Sequence, residues 1–180
     1  MSKLFNQAVK SAFKNEMRVQ LPEYDLVQTT GVQIVWPGEM DFSRKTPLGH
    51  SLWICFLTHY RGQNSFIIEV GWSLTGGFPA LNARPSLKAP NDKEVFSQHE
   101  YLTRLPKLSN KDEDWWSFSD GPTRQCTLQE RISMEIDFAL KSLTKEEAEG
   151  SAQILVPKAM ETLIQYGVPF LNAFADGYRK

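Results

Sequence analysis

The chain has 180 residues, 41% of them hydrophobic, and a formal net charge of −1. This hydrophobic content is enough for a folded core and too high for a disordered chain. The even charge balance argues against non-specific binding of nucleic acids or anionic membranes through bulk electrostatics. We expect one domain over residues 1–180, which needs no disulfide or metal for its stability.

The N-terminal segment has the periodicity of an amphipathic helix. Apolar residues recur at helical spacing from Leu4 to Met17, and polar residues fill the other face. The helix should end before Pro22. The segment does not have the pattern of a signal peptide, and no stretch approaches the roughly 20 apolar residues that span a bilayer. We therefore expect a cytoplasmic protein with no membrane partner.

Alternating apolar residues predict the first strands. Residues 32–36 form one, stopped by Pro37-Gly38, and the polar residues 39–46 form a loop or a short extension of it. Residues 52–57 are apolar on both faces. The pattern therefore predicts that this strand is central and covered on both sides.

A hairpin joins that strand to residues 65–74. Gly62-Gln63 at the centre of a type II′ turn sets Trp53 opposite Trp72. The other expected pairs are Cys55 with Val70, Leu57 with Ile68, and His59 with Phe66. This register makes one face almost wholly apolar, whereas a slip by one residue would bring Glu69 and Ser73 onto it.

The rest of the chain shows weaker signals and then helices. Residues 93–105 could hold a short helix, and Trp115, Trp116 and Phe118 could form a fourth strand. A capping box at residues 127–130 predicts a helix, a second helix begins at Pro157 and stops at Gly167, and a last one covers residues 169–174. The predicted fold is α+β: an N-terminal helix, an antiparallel meander of about four strands around the tryptophan-flanked hairpin, and C-terminal helices packed on one face.

Motifs for catalysis and metal binding do not emerge. His50 and His59 would face opposite ways on one strand, so they cannot share a metal. Cys55 is expected to be buried, and burial raises the pKa of a thiol and so lowers its reactivity. The sequence contains neither a nucleophile elbow nor a phosphate loop. We predict no catalytic residue, no metal and no cofactor.

Three local features resemble a family of uncharacterised bacterial domains. They are the tryptophan-containing hairpin with Phe66-Ile67-Ile68-Glu69-Val70-Gly71, the pair Trp115-Trp116, and the ending Val168-Pro169-Phe170-Leu171. Some members of that family are encoded near polymorphic toxins and are suspected to be immunity proteins. The resemblance spans most of the chain, although residues 75–108 depart from the pattern. It implies a protein partner and supplies no catalytic residues.

The favoured hypothesis is a non-enzymatic protein-binding factor, of the immunity type, that neutralises a toxin by occluding it. Such a factor uses exposed aromatic and arginine side chains as anchors, and the candidates are Trp115, Trp116, Phe78 and Arg84. Core packing is the competing interpretation of both tryptophans.

Two alternatives stay open. A small-molecule or nucleotide-handling enzyme would use the sheet face of Glu69, with Thr58, Tyr60 and Arg44, and would need a deep pocket converging on the carboxylate. A phage or plasmid factor that inhibits a host protein would look the same as an immunity protein. Nucleic acid is an unfavoured partner, and the last strand of the meander could pair with a second copy in a homodimer.

Overall fold

The computed structural model describes residues 3–27, 39–59, 63–77, 99–109, 116–117 and 142–177. Within them the helices are α1 (Lys3–Gln20), α2 (Leu105–Leu108), α3 (Lys145–Thr162) and α4 (Val168–Gly177), with a π-helical turn, Leu163–Gly167, between α3 and α4. The strands are β1 (Asp25–Val27), β2 (Glu39–Lys45), β3 (Ser51–Thr58), β4 (Ser65–Ser73), β5 (Glu100–Arg104) and β6 (Trp116–Ser117). The expected strand at residues 32–36 and the expected capping box at residues 127–130 lie outside the described residues.

The strands form an antiparallel meander in the order β1-β2-β3-β4-β5, and β6 pairs with the start of β4. The predicted α+β class is confirmed, with six described strands where about four were expected. β3 is the central strand, and all eight of its residues are buried, as its apolar faces predicted. Residues 39–45 are a full strand, because they pair with β3 along its length. Residues 100–104 are also a strand, where the sequence had suggested a helix.

The predicted hairpin register is wrong by one residue. Trp72 lies opposite Leu52, and Trp53 lies opposite Gly71. The pairing of Thr58 with Phe66 leaves residues 59–65 between them, an odd number, whereas a two-residue turn between paired neighbours requires an even one. The observed register therefore differs from the one that a two-residue Gly62-Gln63 turn would set, and Glu69 joins the face of Cys55. Gly62 itself lies outside the described residues.

One face of the sheet is covered by helices, and we call it the helix-covered face. Its central side chains are Leu52, Ile54, Phe56, Phe66, Ile68, Val70 and Trp72. The residues of α1 at helical spacing, Phe5, Val9, Phe13 and Met17, are fully buried against it. The rings of Phe13 and Phe56 stack with their centroids 4.6 Å apart. The amphipathic helix and its end before Pro22 are thus confirmed.

The C-terminal helix begins earlier than predicted. Thr144 caps α3 through a reciprocal bond with Glu147, a capping box that orients the first turn. Pro157 lies inside α3 and is not its first residue. Gly167 does not end the helix either: it closes the π-helical turn, where a Cβ would lie 3.0 Å from Leu105 Cδ1 and 3.4 Å from Val70 Cγ1. The glycine there permits close packing.

None of the described helices combines the length and the apolar composition that crossing a bilayer requires.

Candidate functional site

The opposite face of the sheet, which we call the second face, carries both polar and apolar side chains. Its buried apolar cluster consists of Trp53, Cys55, Leu57, Ile67 and Leu102. One polar row crosses four strands in register: Asp41 on β2, Cys55 on β3, Glu69 on β4 and Arg104 on β5. Side chains at directly paired positions share a face and lie about 5 Å apart at Cβ, so these four groups are neighbours.

The acid–thiol cluster, which we define as Glu39, Asp41, Cys55 and Glu69, is withdrawn from solvent. Cys55 is fully buried, and Asp41 and Glu69 are 2% and 4% exposed. Glu39 lies two residues before Asp41 on β2, and hence on the same face, with 9% exposure. Burial of three carboxyl groups beside a thiol is unusual, because each ionised group costs desolvation energy unless it is paired.

The Cys55 thiol is held in its protonated form. Burial raises its pKa well above 9.0, and the negative charges of Asp41, Glu69 and Glu39 raise it further in that order. A hydrogen bond with Asp41 acts in the same direction. A thiol with these surroundings is a poor nucleophile at neutral pH, because the thiolate is the reactive form.

Three members of the cluster have the composition of a metal-ligand set. One ligand atom each of Glu39, Asp41 and Cys55 lies within 4.8 Å of the others. Oxygen and sulfur ligands suit Zn²⁺, but the ion would have to displace the proton of a thiol whose pKa its neighbours raise. An acidic group with one thiol does not by itself define a metal site, and we assign none.

We expect the protein to lose stability as the pH rises above 9. A thiol whose pKa is raised on folding keeps its proton in the folded state while the unfolded chain releases it near 9.0. Stability is therefore complete below that value and falls above it, by about 1.4 kcal/mol per pH unit for one proton. Urea unfolding between pH 8 and 10 should show this slope.

The same titration of Cys55→Ala is the control for this slope. Between pH 9 and 10 the variant should lose stability much less steeply. Tyrosine adds little in that window: burial raises the pKa of Tyr24 from 10.0 to about 12, so its own destabilising contribution starts near pH 10. Equal slopes for both proteins would contradict the assignment to Cys55.

A second polar row lies at the end of the same face, and its hydrogen bonds hold the segment that follows β4. Lys45 Nζ donates to Ser51 Oγ at 2.6 Å and to the Gly76 carbonyl at 2.5 Å. Ser51 Oγ donates to the same carbonyl at 2.8 Å, and Trp53 Nε1 donates to the Gly77 carbonyl at 3.1 Å. A lysine beside a serine can activate a nucleophile. Here the serine is fully buried and its proton is used in the bond to Gly76, so the row has a structural role.

The residues of the proposed enzyme site do not come together. Glu69 is on the second face, whereas Thr58 pairs with Phe66 and Arg44 pairs with Leu52, both on the helix-covered face. Thr58 is buried as well. Tyr60, the fourth candidate, lies outside the described residues. The sheet itself therefore separates the Glu69 carboxylate from the Thr58 hydroxyl and the Arg44 guanidinium.

Arg44 has partners that fasten the fold. Its Nη2 donates to Asn172 Oδ1 on α4 at 2.6 Å. Its Nη1 is 4.0 Å from Glu23 Oε1, and its guanidinium carbon is 5.1 Å from the centroid of the Tyr24 ring. The side chain thus links β2 to α4 and to the connection between α1 and β1.

Among the candidate anchors, the structure describes Trp116. It is partly buried, pairs with Phe66 through β6, and stacks on the Phe66 ring with centroids 5.8 Å apart and planes 15° apart. The candidates Trp115, Phe78 and Arg84 lie outside the described residues.

Sequence reasoning missed the acid–thiol cluster. Asp41 and Glu39 fell in a segment interpreted as a loop or strand extension, and Arg104, which ends the same polar row, fell within the expected helix at residues 93–105. The signal that could have found them is the alternation of Glu39, Asp41 and Ser43 with Met40 and Phe42, which is the period of a strand.

The chain matches no protein-family model, no curated protein and no solved structure.

Proposed function

We propose that the protein is a non-enzymatic factor that binds another protein, and that it is an immunity-type protein which neutralises a toxin by occluding it. The non-enzymatic class is supported by the separation of the reactive groups, which do not share one site. The Glu69 carboxylate and the Thr58 hydroxyl are buried on opposite faces of one sheet, and the Cys55 thiol is buried and protonated. A cytoplasmic location belongs to the same proposal, because there such a factor would meet an incoming toxin.

The single observation that carries the binding role is the support behind Trp116. The rings of Phe13, Phe56, Phe66 and Trp116 form a continuous series of stacked contacts, with successive centroids 4.6, 4.8 and 5.8 Å apart. The first three rings are fully buried, and Trp116 at the end of the series remains partly exposed.

A tryptophan in this position suits a binding hot spot. Hot spots are enriched in Trp, and an aromatic ring held in place before binding loses little conformational entropy on association. The aromatic series fixes the Trp116 ring, so that the part of the side chain that remains exposed can bury apolar area against a partner. Residues 115 and 78 extend the same hypothesis to aromatic side chains outside the described residues.

We expect Trp116→Ala to weaken binding of the partner by about thirtyfold or more, as loss of a hot spot of 2 kcal/mol requires. The partner would be isolated on the tagged wild-type protein, produced at its native level, and affinity would then be measured by calorimetry. A strain that lacks the gene should become sensitive to that partner, and the Trp116→Ala protein should fail to restore resistance.

The matched variant is Trp116→Phe, which keeps an aromatic ring on Phe66 and should retain most of the affinity. Circular dichroism and urea unfolding would establish that both variants are folded. No stable partner on the wild-type protein, together with unchanged toxin sensitivity in the deletion strain, would refute the proposed function.

A further inference from the structure

The outer surface of α1 carries a row of cations, which we call the α1 basic stripe: Lys3, Lys10, Lys14 and Arg18. At 100° per residue these positions fall within an arc of about 80°, and they extend for about 22 Å along the helix. Lys3, Lys14 and Arg18 are exposed and Lys10 is partly exposed. The one acidic residue of the helix, Glu16, lies outside this arc and accepts a hydrogen bond from Gln20.

The charged groups of the stripe are not used in polar contacts within the described part of the fold. None of the four side chains makes an ion pair or a hydrogen bond with another residue in the part of the chain that the structure describes. Fold stability does not require this arrangement, because like charges at i,i+4, such as Lys10 with Lys14 and Lys14 with Arg18, destabilise a helix slightly. A ligand of opposite charge would remove that repulsion.

We infer that the α1 basic stripe is the docking surface for an acidic segment of a protein partner, which lies along the helix axis. This inference rests on the proposed function, and it identifies the chemistry of the partner. Carboxylates spaced by one helical turn would each face one cation of Lys10, Lys14 and Arg18. Complementary charges of this kind chiefly accelerate and orient association.

Two other polyanions fit the surface less well. Single-stranded nucleic acid requires exposed aromatic rings for stacking, and both phenylalanines of α1 are fully buried. A membrane-surface helix inserts its apolar face, but Phe5, Val9, Phe13 and Met17 are buried in the core.

The test uses a fluorescent, alanine-rich helical peptide with a glutamate at every fourth position, titrated with the full-length protein in an anisotropy experiment. We expect binding at low salt that weakens as screening increases to physiological ionic strength. Lys10→Glu with Lys14→Glu should weaken it at least about tenfold, because two attractive pairs become repulsive. Lys145→Glu with Lys158→Glu on α3 changes the net charge equally and should alter affinity by less than about twofold.

Several outcomes would overturn the inference. They are no binding of the peptide at low salt, equal effects of the two double variants, or tighter binding of a single-stranded RNA oligonucleotide or of phosphatidylserine vesicles than of the peptide. The proposed function has its own readout. If the Lys10/Lys14 variant still binds the natural partner with full affinity while Trp116→Ala does not, the docking inference fails and the proposed function stands.

Discussion

Gly71→Ala should destabilise the protein by about 3 kcal/mol or more, although it adds a single methyl group. Gly71 lies in β4 between Trp53 of β3 and Leu102 of β5. A Cβ at this position would overlap the Tyr101 carbonyl oxygen and would lie 2.7 Å from the Tyr101 carbonyl carbon and 2.8 Å from Leu102 Cα. All three atoms belong to the backbone, so the strand pair would have to separate to admit the methyl group. Urea unfolding would measure the loss.

Gly150→Ala is the matched control for that substitution. Gly150 lies inside α3, and a Cβ there would meet no atom within 4 Å. Alanine is favoured over glycine in a helix interior by about 0.5–1 kcal/mol, so this variant should be more stable than the wild type. If Gly71→Ala stayed within about 1 kcal/mol of the wild type, the close approach of β4 and β5 would be refuted.

Trp72→Ala should cost about 3–5 kcal/mol, the range for removal of a large buried aromatic side chain. The Trp72 side chain is fully buried. Its ring stacks on Phe174 of α4, with centroids 4.1 Å apart and planes 8° apart. The ring centroids of Tyr101 and Phe170 lie 5.0 and 5.5 Å from that of Trp72. Loss of this ring would therefore detach α4 from the sheet as well as leave a cavity. Thermal and urea unfolding, with near-ultraviolet circular dichroism, would detect both effects.

A double-mutant cycle separates the stacking contact from the general loss of volume. Trp72→Phe, Phe174→Leu and the double variant should show a coupling energy of about 0.5–1.5 kcal/mol for the aromatic pair. Trp72→Phe alone keeps a ring in the site and should cost distinctly less than Trp72→Ala. A coupling energy near zero would contradict the packing of α4 on β4 through this pair.

The local periodicity of the sequence was sufficient to predict much of the fold. The spacing from Leu4 to Met17 predicted α1, and the two apolar faces of residues 52–57 predicted a central, covered strand. Both signals depend on the chain's own period and need no knowledge of a partner strand. The antiparallel meander followed from the closeness of successive strands in the sequence.

The register between β3 and β4 could not be predicted from local periodicity. The assumption that apolar residues pair with apolar residues favoured Trp53 opposite Trp72, whereas the fold buries Glu69, Ser51 and Ser73 on the second face. A buried carboxylate is an exception to the burial rule. Its neighbours come from β2 and β5, and their register cannot be determined from β3 and β4 alone.

The candidate site was harder to predict than the fold. Glu69 was expected within the sheet and lies there, but Thr58 was placed on its face because the predicted register was displaced by one residue. In a strand, that displacement transfers a side chain to the opposite face. By contrast, Trp116 was selected from its residue type alone, and the structure adds the aromatic series behind it.

The π-helical turn at Leu163–Gly167 changes the phase of the C-terminal helix. Val168 N–H donates to the Leu163 carbonyl, five residues back, so the turn contains one residue more than an α-helical turn. One added residue rotates everything that follows by about 100° around the helix axis. The first part of the helix can therefore contact α1, and the second can direct Phe174 towards Trp72 of β4. The turn is geometrically equivalent to a one-residue insertion, and it lets one helix pack against two different parts of the protein.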